Sequence, residues 1–247
     1  MKMPSQAKIY IALIAAVATA ALTLAAYQWK PENLGHFVLF FTLAMVAAAM
    51  KIRLPGLKTT ISISFVFILI GIALFSFGET VLLGLGGALV QSLWRPLQRP
   101  KPVQVFFNAA CLTVCTAAAF WTSHSLLAML GLTSLSAMMV LGACVYVVLN
   151  TGLVSLVISL AEGRPLGELW SSCYEWTFPY FLVGAAVAGL ASAAGHGSNW
   201  GMTLLVMPVM FFVYVYYRMH IVRAVLENIS KVSGGNEAVL AGTSEGR

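Results

Sequence analysis

The sequence predicts an all-α fold, a polytopic transmembrane helix bundle of about eight spans, seven being the alternative count, with both termini cytoplasmic. Three observations predict it. Of 247 residues, 60% are hydrophobic and only 9% are charged, where a soluble domain needs about 25% charged residues to wet its surface. The charges gather in short clusters between apolar runs, most of them near the roughly 20 residues a helix needs to cross a bilayer. The basic residues also fall in alternate segments along the chain. With a cytoplasmic N-terminus and eight spans, the inside segments carry Lys2, Lys8, Lys51, Arg53, Lys58, Arg95, Arg99, Lys101, Arg164, Arg218, Arg223, Lys231 and Arg247, and the outside loops only Lys30. Basic residues are retained on the cytoplasmic side during insertion.

The spans follow in order as residues 9–28, 34–50, 60–77, 80–94, 103–121, 134–160, 176–195 and 200–217. The first is preceded by Lys2 and Lys8 and resembles a secretory signal, but its apolar run is longer than a signal core, so an uncleaved anchor is expected. The fourth is short enough to be re-entrant or shielded by neighbours, and the sixth is long enough to tilt. Tyr27, Trp29 and Trp121 mark the outer interface, and Trp94 with Tyr214, Tyr216 and Tyr217 the inner one. Leu166, Leu169 and Trp170 share one helical face, which suggests a short helix lying in the inner interface. Residues 1–217 therefore form the bundle. Residues 218–247 continue as a cytoplasmic helical extension, with Ile221, Val222, Val225, Leu226 and Ile229 as its apolar stripe, and end in a small, polar, disordered tail.

Composition excludes several functions. The net charge of +6 is spent on topology, so no nucleic-acid partner is expected. The chain contains no Asp, and its acids are Glu32, Glu79, Glu162, Glu168, Glu175, Glu227, Glu237 and Glu245. No acid falls mid-span, which argues against a proton-coupled pump. Nucleophile elbows, phosphate-cradling glycine loops, HExxH and paired-acid signatures are absent, so the chain is expected not to be an enzyme. No cofactor and no metal are expected. Cys111 and Cys115 are spaced i, i+4, which suits a metal or plain helix packing. His36, His124 and His196 fall on three separate outer loops.

Polar residues inside spans are the better functional pointers, because an unsatisfied polar group in hydrocarbon is costly. Asn150 lies near the middle of span six. Gln91 ends span four, Gln104 and Asn108 open span five at i, i+4, and Ser62 and Ser64 share a face of span three with Thr60. With Glu175 at the inner edge of span seven, these are the candidate ligand-binding residues. They would line a pocket open to the cytoplasm, or bond between helices. Small residues at helical spacing let backbones approach. The candidate packing faces are Ala12, Ala16 and Ala20 in span one, Gly84 and Gly87 in span four, and Gly184 and Ala188 in span seven.

One stretch carries a resemblance. Residues 51–95 read KIRLPGLKTTISISFVFILIGIALFSFGETVLLGLGGALVQSLWR, and residues 99–114 read RPKPVQVFFNAACLTV. The pattern combines a basic loop with Leu54, Pro55 and Gly56, a Ser-rich start to span three, and a Gly-rich span four with Val90, Gln91 and Trp94. A basic Arg-Pro-Lys-Pro loop at residues 99–102 then leads into Val103, Gln104, Phe107 and Asn108. It resembles the N-terminal membrane module of bacterial, especially acidobacterial, signalling proteins that continue into a GGDEF or HD-GYP domain of cyclic-di-GMP metabolism. This chain carries neither catalytic sequence. The resemblance therefore implies the sensing half alone, acting through a partner, or a fragment of a longer protein. A weaker resemblance, carried by Ala12, Ala16 and Ala20, is to the S components of energy-coupling-factor transporters, whose first span docks on a coupling subunit.

The expected function is a non-enzymatic sensor or small-molecule-binding module in the bacterial inner membrane, signalling through its C-terminal helix or a partner. The alternatives are a substrate-binding subunit of a transporter and a structural subunit docking another membrane protein. The expected partners are the lipid bilayer, a small-molecule ligand, and a membrane protein or a second copy of the chain.

Overall fold

The computed structural model describes residues 3–30, 33–53, 60–62, 64–96, 100–131 and 135–171, with isolated helical positions beyond. Among the described residues the architecture is an all-helical bundle of six main helices and a short one at 166–171, with one ribbon of two three-residue strands. Its elements are α1 (Ser5–Tyr27), α2 (Leu34–Ala49), β1 (Lys51–Arg53), β2 (Thr60–Ser62), α3 (Ser64–Leu74), α4 (Phe77–Leu93), α5 (Pro102–Met129) and α6 (Leu135–Glu162). Among the described residues, three helical segments are long and apolar enough to cross a membrane: Ser5–Tyr27, Pro102–Met129 and Ala137–Glu162. The expected spans seven and eight and the tail lie outside the described residues apart from those isolated positions.

Local chemistry sets the helix ends. Asn33 caps α2 by accepting the His36 N–H at 3.0 Å. Ser76 and Glu79 form a reciprocal capping box on α4, which satisfies amide groups that the first turn leaves unpaired. Pro102 opens α5, where its missing N–H costs nothing. Gly131 and Gly163 follow the ends of α5 and α6 at φ +65° and +70°, a conformation glycine adopts without penalty.

Helices consecutive in the chain run antiparallel, and the contacts define two ends. At one end Tyr10, early in α1, donates to Leu153 O late in α6 at 3.2 Å and faces Phe107 at the start of α5, with ring centroids 6.2 Å apart. Asn108 reaches Ser92 at the end of α4, and Lys51 reaches the Trp94 carbonyl. At the other end an aromatic cluster joins Trp29, Phe37 and Phe75, and Phe77 with Phe120 and Trp121. The first end gathers Lys8, Lys51, Arg95, Lys101 and Arg164, whereas the aromatic end holds Lys30 as its one described Lys or Arg.

α5 is the central helix, packed against α1, α4 and α6. α3 fills the core: every residue from Phe65 to Ile72 is buried. At 11 residues it is about 17 Å long, short of the roughly 30 Å hydrocarbon layer. The expected third span, 60–77, is thus replaced by a strand and a short helix enclosed by the bundle. Residues 60–62 pair antiparallel with 51–53, Ile61 opposite Ile52, so that these non-helical backbone groups find partners. α5 also runs past the expected end at Trp121 to Met129. This places His124 inside a helix, stacked on Phe120 at 4.0 Å, and not on a loop. His36 lies in the first turn of α2.

Candidate functional site

The polar residues of the basic end come from four elements, β2, α3, α4 and α5. Ser62 closes β2 and Ser64 opens α3. Both are buried, with their hydroxyls 2.7 Å apart. Ser62 Oγ also donates to Gln91 Oε1 on α4 at 3.4 Å. The next residue, Ser92, accepts from Asn108 Nδ2 on α5 at 3.2 Å. The result is a polar band from α3 across α4 to α5, formed of hydroxyls and carboxamides alone. Groups of this kind can bind a neutral polar ligand by hydrogen bonds, or hold helices together.

The expected site residues do not all join this band. Gln104 accepts the Lys101 N–H at 3.0 Å and so caps α5. Asn108 does join it through Ser92, but is exposed on the flank of the bundle. Asn150 stands apart on α6, with no hydrogen bond to Asn108. Its side-chain oxygen Oδ1 is buried without a partner, an uncommon state for a buried carbonyl. Glu175 lies outside the described residues, as do Gly184, Ala188 and Cys173.

One residue missed by the sequence reading, Thr151, follows Asn150 and holds Trp170. Thr151 donates to Val147 O at 2.7 Å and accepts from Trp170 Nε1 at 3.2 Å. Trp170 belongs to a short helix at 166–171, which buries Leu169 and leaves Leu166 and Trp170 partly exposed. The apolar stripe of that helix is visible in the sequence, but its docking on Thr151 is not.

Buried hydroxyls divide into two sets. Ser123 and Thr151 each donate to the carbonyl four residues earlier. Thr113, Thr116 and Ser155 are equally helical but have no partner. Thr116 is pressed against Gly84, where an added Cβ would lie 2.4 Å from its Oγ1. Gly87 has more room, its nearest neighbour being Ser64 at 3.5 Å. In α1 the buried side holds Ala7, Ile11, Ile14, Ala18 and Ala25. The expected packing face of Ala12, Ala16 and Ala20 points outward, exposed. A shallow groove there is lined by Ala16, Thr19, Ala20, Thr23, Leu24 and Tyr27.

Glu79 is buried at the aromatic end, and its Oε2 accepts from Ser76 N at 3.0 Å and Ser76 Oγ at 2.7 Å. It is a capping acid placed where the helix dipole favours negative charge. Cys111 and Cys115 are buried free thiols. Among the described residues, no three His, Cys or acidic side chains group as metal ligands. Compared with known protein families, curated proteins and solved structures, the chain matches none.

Proposed function

We propose that this chain is a non-enzymatic integral protein of the bacterial inner membrane. Its basic end faces the cytoplasm, and it serves as a sensor or small-molecule-binding module that signals through its C-terminal helix or a partner. The carrying observation is Asn150, whose unpartnered buried oxygen is an acceptor waiting for a donor. A bound N–H or O–H group would relieve the cost of that unpaired carbonyl. It would do so one residue from Thr151, the point where Trp170 fastens the 166–171 helix to α6. Ligand binding and the seating of the 166–171 helix, which leads from α6 toward the expected span seven, are therefore adjacent. A ligand shifts such a segment only by favouring one of its two positions.

A second reading, a structural or transport subunit that docks another membrane protein, is favoured by the outward small-residue face of α1. Only 17% of the apolar stretch of that helix is buried, against 44% for α5. Extraction in mild detergent followed by native mass spectrometry tests both. A retained small molecule that is lost on Asn150→Leu supports the sensor. A stoichiometric protein partner lost on Ala16→Leu, with no small molecule, replaces it by the subunit reading.

A further inference from the structure

We infer that the turn after α4 and the start of α5, with Arg95 and Lys101 as its cations, bind the headgroup of an anionic phospholipid. This rests on the membrane-embedded bundle of the proposed function and not on its sensing role.

Four observations converge on this turn. The first is charge: Lys51, Arg95 and Lys101 lie around the last turn of α4 and the first of α5. Of the described acids, Glu79 is at the opposite end of the bundle and Glu162 and Glu168 follow later, around Arg164. The second is exposure, since Arg95 and Lys101 are both exposed. Lys51, by contrast, is occupied: its ammonium donates to the Trp94 carbonyl, where a cation offsets the negative end of the α4 dipole. The third is shape. Arg95 takes φ +41°, the one described non-glycine residue with positive φ. Its guanidinium sits 5.9 Å from the Trp94 ring centre, so an aromatic anchor and a phosphate-binding fork share one turn. Trp94 is itself 54% exposed, the position of a side chain at headgroup depth. The fourth is α5. Its 28 residues point their N-terminus, the positive end of the helix dipole, into the same region. Cations next to an anionic leaflet attract its headgroups, and basic pockets between spans select them.

The test uses the full chain purified in neutral detergent and offered an equimolar mixture of phosphatidylglycerol and phosphatidylcholine, with bound lipid counted by native mass spectrometry. The wild type is expected to retain phosphatidylglycerol in excess, on the order of tenfold, and the Arg95→Gln/Lys101→Gln variant about twofold or less. Arg95→Lys, which keeps the charge, is expected to keep most of the excess. Lys30→Gln, at the far end, is expected to keep all of it. Raising salt should erode the wild-type preference, a readout independent of whether the double variant folds. Equal retention of both lipids overturns the inference, as does an undiminished excess in a folded double variant or an equal loss in Lys30→Gln. Inorganic phosphate displacing the lipid at millimolar concentration also overturns it, in favour of a soluble anion. A chain that stays soluble without detergent overturns the membrane reading beneath it. A detergent-requiring chain with no lipid preference overturns this site alone.

Discussion

Single atoms decide how closely the helices approach. At Gly84 an added methyl would meet Thr116 Oγ1 at 2.4 Å, so Gly84→Ala is expected to cost about 1–3 kcal/mol through overpacking. Gly87→Ala meets Ser64 at 3.5 Å, an ordinary contact. It should be neutral or stabilising by up to about 1 kcal/mol, the propensity advantage of alanine in a helix. Thermal melts of the two variants in detergent should therefore move apart. Adding Thr116→Ala to Gly84→Ala should recover part of the loss, because the two sites are in contact. Ser76→Ala removes the cap from α4 and is expected to cost about 1 kcal/mol by the same measurement. None of these contacts was legible in the sequence. The glycines of α4 announce a close approach but not to which neighbour, and alanines lie on both faces of α1. Ala7, Ala18 and Ala25 face the bundle while Ala12, Ala16 and Ala20 face away, and spacing alone assigns neither set to the core.

Among the elements, the apolar runs made α1, α5 and α6 legible, because a helix that satisfies its own backbone is the ready solution for such a run in lipid. The ribbon was hidden for a physical reason. Residues 60–64 alternate Thr, Ile, Ser, Ile, Ser, a two-residue period that suits a strand, yet hydropathy reads them as the head of a span. The end of α5 was hidden because Thr122, Ser123, His124 and Ser125 lower the hydropathy without breaking the helix. Ser123 repays its polarity by donating to Ala119 O at 2.7 Å. The polar band was legible as a set of residue types. Its division into a Ser62–Ser64–Gln91 cluster, an Asn108–Ser92 pair and a Gln104 cap depends on side-chain direction, which spacing does not give. At this scale the hinge of interest is the 166–171 helix. Trp170→Phe deletes its hydrogen bond to Thr151 while keeping most of the ring. Global stability is expected to change by about 1 kcal/mol or less. Amide exchange in residues 166–171 is expected to rise selectively, since locally held segments open at a fraction of the global free energy.

At the scale of the molecule, the six main described helices alternate in direction and sort charge to one end. That polarity predicts orientation. In a variant lacking the four native cysteines, a thiol at residue 30 is expected to react with a membrane-impermeant maleimide on intact cells. A thiol at residue 95 is expected to react only after lysis. The reverse pattern would invert the bundle, and labelling of both on intact cells would break the alternation on which the orientation rests.

The enclosed α3 has a consequence for how the protein is made. A segment of this length offers the insertion machinery too little apolar length to be held across the bilayer unaided. Its shelter comes from elements on both sides in the chain: α2 before it, and α4, α5 and α6 after it. While the nascent chain ends before α5, α3 has only part of its walls. Its seating therefore waits until α6 has been made and adds the last of these four walls. Chains halted between α4 and α5 are the species that quality-control proteases should recognise first.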